Sequence, residues 1–301
     1  MLIGCDKLAT LVYKNTYGQS VTLAQNHANP FWLSKIAGFG GAKNDVNTVK
    51  SPDQDGETDV NASLEKSERT ITGTIIAANA RQLEEYHREL ITAFSTKQSG
   101  VLEYIYGDVD KSCSCKVESV AFGEIDGGTQ EYDITILCPN PFWQDISPTV
   151  DEIALWLPEF EFLLPDGFEF PDDGMEFGER AESLIVDVQN PGDVPCGMKI
   201  IFTATGTLEN PSVLNVNTRE YFKMLKTMHA GEMIEINTKF GEKAVTGYLN
   251  GDSLNYFNDA DLPASTFLQL QPGSNPIRYN ADSGLDNLNV TIRYSPQYLG
   301  V

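Results

Sequence analysis

From Leu184 to Val301 short apolar runs alternate with turn residues so regularly that antiparallel β-structure is the one architecture that suits the stretch. Met198, Ile200 and Phe202 fall at i, i+2 and i+4, as do Val290, Ile292 and Tyr294, which is one buried face per strand. Between such runs stand Asn190-Pro191-Gly192-Asp193, Asn210-Pro211, Asn237 with Gly241, and Pro272-Gly273-Ser274-Asn275-Pro276. Six or more strand-length runs, punctuated by Gly, Pro and Asn at intervals of roughly 8 to 20 residues, predict an antiparallel sandwich. Residues 218–230 fit either a helix capped by Thr218 or a strand in which Phe222, Met224, Lys226 and Met228 alternate. The strand count around them favours the strand.

The first half has a different rhythm. Runs at Ala9–Tyr13, Val21–Leu23 and Phe31–Leu33 read as strands, and Arg69-Thr70-Ile71-Thr72-Gly73-Thr74-Ile75 alternates cleanly. Asn79 then has the chemistry of a helix cap, with Gln82 as its reciprocal partner. Leu83, Tyr86, Leu90 and Phe94 follow at helical spacing on one amphipathic helix that ends before Gly100. Strands return at Val101–Tyr106, Cys115–Val120 and Tyr132–Cys138, and Pro139-Asn140-Pro141-Phe142-Trp143 closes the series. Strands, one helix, then more strands make an α+β arrangement. From Gly41 to Ala62 apolar content collapses, which predicts a mobile loop or a segment that orders against a partner.

Charge restricts the partners. The chain has 43 acids against 21 bases, a formal net charge of −22, and such a surface repels nucleic acid, whose binding needs basic side chains to replace counterions. Residues 150–185 hold eleven acids and a single base, Arg180. Inside this stretch Leu157-Pro-Glu-Phe-Glu-Phe162, Leu164-Pro-Asp-Gly-Phe-Glu-Phe170 and Pro171-Asp-Asp-Gly-Met-Glu-Phe177 form a short repeat. Its prolines exclude helix, and extended Phe-Glu-Phe puts both rings on one face. The repeat reads as a linker with its rings on a neighbouring domain, or as an arm on an adjacent subunit. The expected division is therefore 1–148, an acidic connector at 149–183, and 184–301.

Chemistry-bearing constellations do not emerge. Five cysteines cannot all pair, so a reduced compartment and small buried thiols are expected. Cys113 and Cys115 share one face of a strand, and His27, His87 and His229 are scattered, which leaves zinc without a ligand set. Asp259, Asp261 and the Asp108–Asp110 turn lack the dense oxygens of a calcium loop, and Gly38-Phe39-Gly40-Gly41 lacks the helix and lysine of a phosphate cradle. Met1-Leu2-Ile3-Gly4-Cys5 mimics a lipoprotein cleavage site without the basic and apolar segments that export requires. No apolar run nears the ~18 residues of a membrane helix. No catalytic, cofactor or metal residues are predicted, and the chain is not expected to be an enzyme.

Several short motifs, in order, carry a resemblance. Asp55-Gly56-Glu57, the Arg69 strand, the helix from about Ala80, the Pro139–Trp143 exit, Asn190–Pro195, Asn210-Pro211, Ala230-Gly231-Glu232, Ile236-Asn237-Thr238, Leu270–Asn275 and the ending Tyr294–Val301 resemble phage distal tail proteins of long non-contractile tails. The resemblance implies a mainly β protein: an N-terminal α+β ring-forming domain, a β-sheet or barrel with one helix, followed by a sandwich similar to galectins and carbohydrate-binding modules. It implies a structural virion protein at the distal end of the tail, assembled in the host cytoplasm. The expected assembly is a homo-oligomeric ring, a hexamer, joining the tail tube protein to a tail-associated hub or tip protein and passing DNA through an acidic channel. Ring-interface candidates are Arg69, Ile71, Ile75, Leu83, Tyr86 and Leu90. A receptor-binding protein or cell-wall polysaccharide is a further expected partner, and the rival reading is a carbohydrate-binding module that attaches to host cell-wall polysaccharide, a role compatible with the ring through the C-terminal sandwich. Trp32, Trp143, Trp156 and the tyrosines would be its stacking platforms, although core packing is the ordinary fate of such rings.

Overall fold

The computed structural model describes residues 9–26, 28–152, 156–157, 179–180 and 185–301. Met1–Cys5, His27 and the repeat from Pro158 to Phe177 lie outside the described residues. The chain divides into two compact units, Met1–Ile146 with Gln297–Val301, and Ser147–Pro296. The last five residues thus belong to the first unit, although the sequence places them at the end of the C-terminal sandwich.

The first unit is built from strands β1 (Thr10–Asn15), β2 (Ser20–Ala24), β3 (Phe31–Ala37), β4 (Asn44–Val49), β5 (Thr58–Leu64) and β6 (Ser67–Ile76), helix α1 (Ala80–Ala93), and strands β7 (Ser99–Tyr106), β8 (Val109–Asp126), β9 (Thr129–Cys138) and β10 (Trp143–Asp145). Strands pair in the order β8, β7, β1, β2, β3, β6, β9, and β9 pairs again with β8, so seven strands close into a barrel with no free edge among them. The eighteen-residue β8 makes closure possible: its first half pairs with β7 and its second half with β9, across bulges at Val117/Ser119 and Phe122/Ile125. Bulges of this kind bend a strand and let it change partners.

Side-chain parity fills the barrel. Ile71 and Ile75 on β6, Ile134 and Ile136 on β9, Leu102 on β7 and Leu11 on β1 are fully buried. Gly73 falls on the same inward parity because Tyr132 lies across it, its hydroxyl donating to Trp32 O at 3.1 Å. α1 is capped by Asn79, whose side chain accepts from Gln82 N at 3.0 Å, worth about 1 kcal/mol. The Gln82 amide oxygen accepts from Ala78 N instead of from the cap's own N–H. The helix buries Leu83, Leu90 and Ala93, and beyond it Phe94 stacks on Tyr13 at 4.2 Å.

The polar stretch after Gly41, expected as a mobile loop or a segment that orders against a partner, contains regular structure: β4 and β5 form a two-stranded hairpin that joins no other sheet among the described residues. At the other end of the chain, Gln297–Tyr298 pairs with β10, placing Tyr298 opposite Trp143. Val301 N donates to Phe39 O at 3.2 Å, and the Tyr298 hydroxyl donates to Asp145 at 3.3 Å. Lys111 sits 3.8 Å from the Tyr298 ring and is paired with Asp145. Burial alone would lower the lysine pKa, but Asp145 and Tyr298 outweigh it and raise it.

The two largest sheets of the second unit are antiparallel and contribute to one core. The larger runs in the order Thr149–Glu152, Leu288–Tyr294, Cys196–Ala204, Met233–Asn237, Ala244–Leu249, Asp252–Asn255, and the smaller in the order Ile185–Asn190, Gly273–Asn280, Ser212–Asn215, Tyr221–Lys223. Ile200 stands opposite both Ile236 and Ile292, and Phe202 opposite Ile234 and Val290; such apolar cross-strand pairs stabilise a sheet. Val188, Val213, Phe222, Ile277 and Tyr279 meet them from the smaller sheet. Residues 218–230 contain no helix.

Removing Gln297–Val301 takes away a strand pairing and the Tyr298 contacts from the first unit. The truncated chain is expected to lose several degrees from the melting transition of that unit while the transition of the second is unmoved, as read by differential scanning calorimetry.

Candidate functional site

The six residues singled out by sequence serve the inside of the first unit. Ile71, Ile75, Leu83 and Leu90 are buried in its core, and Tyr86 is half-buried with its ring edge-on to Phe31 at 5.6 Å. Arg69 is wholly buried: its guanidinium lies 3.8 Å over the Trp143 ring, and its Nη2 donates to Pro141 O at 3.1 Å. Its Nη1 donates to the Cys113 sulfur. The alternation of β6 already puts Arg69 on the parity of Ile71 and Ile75. A sequence reader assigns an arginine outward by habit, and here the habit fails.

The surface such elements offer comes from their neighbours. On α1 the outward residues are Arg81, Glu84, Glu85, Arg88, Glu89, Ile91 and Thr92, with Arg81 and Glu85 paired at 3.2 Å one turn apart. Ile91 is 48% exposed. An exposed pair of this kind contributes little, so this helix face is held by its apolar side and presents charge to whatever lies outside.

The hairpin β4–β5 is the most exposed regular element. Every residue of β4 and all of β5 except Leu64 are exposed, Val46, Val49 and Val60 by about half or more. Six residue pairs hold it, Thr48 bonds Glu57 across it, and Lys43 reaches Glu65 at its base at 3.3 Å. Sequence reasoning missed the ribbon because strands exposed on both faces carry no apolar alternation. The one available signal was the placement of Val46, Val49 and Val60 either side of the Pro52–Gly56 turn.

A third feature is acidic. Glu118, Glu124 and Asp126 on β8, and Glu131 and Asp133 on β9, are exposed on the paired ends of these strands. Asp133 accepts from Thr72 Oγ1 at 2.6 Å. No basic side chain forms an ion pair with these five carboxylates among the described residues.

In the second unit the motif asparagines are structural. Asn275, buried, donates to Gln271 O at 2.7 Å and Gly273 O at 2.9 Å and accepts from Gln271 N at 2.9 Å. Asn190 donates to Leu270 O at 3.0 Å and accepts from Gly192 N at 2.9 Å. These side chains satisfy turn backbone that would otherwise be buried without partners. Stacking platforms for sugar are not gathered there: Tyr279 and Tyr294 are buried, and Tyr221, Tyr248 and Tyr256 are half-buried. Trp143 is buried in the first unit, Trp32 is half-buried on β3, and the Trp156 side chain lies outside the description. Among the described residues the most exposed rings are Phe240 in the second unit and Tyr17 in the first, each 77% exposed. Asp259, Asp261, Asp108 and Asp110 do not converge, and among the described residues no group of three His, Cys, Asp or Glu is placed to hold a metal.

Two family models match the chain. One describes the siphovirus-type tail component, C-terminal domain, and covers residues 191–298; the other describes a phage tail protein RIFT-related domain and covers residues 20–138. A search of curated proteins finds no match. Among solved structures, the Dit (gp 19.1) protein of SPP1, titled a paradigm of the hub adsorption apparatus in phages infecting Gram-positive hosts, aligns with a TM-score of 0.66 at 12% identity over 96% of this chain and 99% of that one. A chain of the phage P2 baseplate in its activated conformation aligns over 98% of this chain and 99% of its own. With calcium the TM-score is 0.54 at 11% identity, and with strontium 0.56 at 12%.

A two-stranded ribbon without a third strand is marginal in water. In dilute protein, trypsin is expected to cut at Lys50 long before Lys116 on β8; equal rates would show the ribbon to be as firmly held as the barrel.

Proposed function

We propose that the chain is a Dit-like distal tail protein, a structural part of the virion, whose copies close into a hexameric ring through the first unit; the two family models and the fold shared with the Dit protein support this reading. In this reading residues 1–148 form the ring, 149–183 are an acidic tether, and 184–301 form an outward-facing sandwich of galectin-like type, apart from the tail segment that returns to the ring-forming unit. The ring joins the tail tube protein on one side to a hub or tip protein on the other, and it is assembled in the host cytoplasm before the virion is released.

The observation that carries the proposal is the β4–β5 ribbon. Its outer edges are unpaired and its valines face water on an element with no core of its own, which is the condition of a strand pair that completes itself against another chain. A closed ring demands a heterologous contact, one surface of each copy meeting a different surface of the next. The ribbon supplies one surface, and the outward side of α1 around Ile91, with Ile76 at the end of β6, supplies the other. Arg69, Ile71, Ile75, Leu83, Tyr86 and Leu90 act by positioning those elements.

The exposed carboxylates of β8 and β9 give the channel its lining in the same reading. A lumen carrying Glu118, Glu124, Asp126, Glu131 and Asp133 from every copy repels the phosphate backbone, so DNA passes without adhering. Exposed aromatics are sparse among the described residues of the second unit, and attachment to polysaccharide is not proposed.

Replacing residues 44–64 by a short Gly-Ser turn is expected to leave a folded chain with native circular dichroism that no longer forms rings by negative-stain microscopy, while the intact chain does. Rings from the shortened chain would refute the ribbon's role. Reversing Glu131 and Asp133 to lysine is expected to make assembled rings retain duplex DNA in a gel-shift assay at low salt, and unchanged mobility would count against the acidic lining.

A further inference from the structure

Arg69 is buried among groups that include no carboxylate. From β6 its side chain reaches Trp143 on β10, Phe39 at 5.9 Å, Pro141 O and the sulfur of Cys113 on β8. Its Nε has no hydrogen-bond partner, and among the described residues no ion pair joins it to an acid. The ring of Trp143 offsets part of the charge. An aromatic face does not replace an anion, and a lone buried cation costs several kcal/mol. A guanidinium does not escape by shedding its proton.

Three thiols stand where the counter-ion belongs. Cys113, Cys115 and Cys138 are each at most 3% exposed, and the Cys113 and Cys138 sulfurs are 3.8 Å apart. Cys115 lies two residues along β8 from Cys113 on the same buried parity. The phenol of Tyr13 on β1 faces Cys115. The Tyr13 hydroxyl is buried without a partner, and its pKa is pushed up to about 12 by burial and then by negative charge at Cys115. A metal cation among these sulfurs would face the guanidinium, so the cluster is arranged to hold negative charge.

We propose that Cys113, Cys115 and Cys138 share a single buried thiolate that is the counter-ion of Arg69, forming an ion pair inside the barrel that acid dissolves. The cluster titrates as a unit. Hydrogen bonds from Cys113 and then Cys115 hold Cys138 down to about 4 against its burial, with Arg69 acting in the same direction. Once that charge is present the other two thiols are pushed up, Cys115 to about 12. In the unfolded chain cysteine ionises near pH ~8.5. The folded value lies below the unfolded one, so the stabilisation is complete above that pH and is lost progressively as pH falls towards the folded value. The first unit therefore weakens through the mildly acidic range, where exposed carboxylates remain ionised.

The test uses the full chain carrying Cys5→Ser, in reducing buffer, and follows the ultraviolet absorbance of the thiolate. The expected result at pH 7 is a band equal to one thiolate per folded chain. It is lost when the chain is unfolded by denaturant at the same pH, and lost also in Arg69→Met. Absence of the band in the folded protein, or its persistence in Arg69→Met, overturns the proposal. Should Arg69→Met fail to fold, acid titration of the Arg69-containing protein decides: a midpoint below pH 6 supports the pair, and a midpoint near the ordinary thiol value overturns it.

Discussion

Closure of the seven-strand barrel by the second pairing of β8 is the constraint on which the first unit depends. An open sheet ending at β8 and β9 would leave two long edges beside exposed Ile125 and Val109, an invitation to indiscriminate pairing. With β8 committed to β7 along one half and β9 along the other, the backbone donors of these strands are spent internally. Among the described residues of the unit, the β4–β5 ribbon is the one strand pair that joins no other sheet, while Gln297–Tyr298 is a short edge strand and β2 meets β3 only at Ala24 and Trp32.

Closure also creates the problem that Arg69 poses. The inward parity of β6, β8 and β9 brings Arg69, Cys113, Cys115 and Cys138 together with Trp143, and the Phe39 carbonyl accepts both from the Trp143 indole at 3.2 Å and from Val301 N at 3.2 Å. The C-terminal residues, the strand exit at Pro139–Trp143 and the turn at Gly38–Gly41 thus converge on one end of the barrel. Segments separated by more than 250 residues in sequence are tied by backbone bonds there, so the first unit is complete only when the last residues have returned to it.

Much of this was legible in the chain itself. The alternation of β6 and β9, the Asn79 cap and the spacing of Leu83, Tyr86 and Leu90 are local signals, and local periodicity is what a sequence displays best. The ladders of the second unit were legible for the same reason, since Met198-Ile200-Phe202 and Val290-Ile292-Tyr294 each bury one face. The β4–β5 ribbon was not, because a strand wetted on both sides shows no contrast between its faces. The return of Tyr298 to β10 and the meeting of Cys113 with Cys138 depend on pairings across many residues, for which no single stretch carries a mark. The ring-interface candidates on β6 and α1 are buried or half-buried inside the protomer, and sequence does not separate that role from an interface because burial inside a protomer and burial between protomers select the same apolar side chains.

The functional account joins a closed barrel, an acidic face on β8 and β9, and a ribbon that pairs with no other strand among the described residues. Its central claim is that the ribbon finds that partner in the next copy. Hydrogen exchange of the backbone amides of residues 44–64, compared between dilute protomer and concentrated assembly, tests this most directly: the account predicts fast exchange in the protomer and at least tenfold slower exchange in the assembly. Equal exchange in the two states, with assembly established independently by sedimentation, would contradict it.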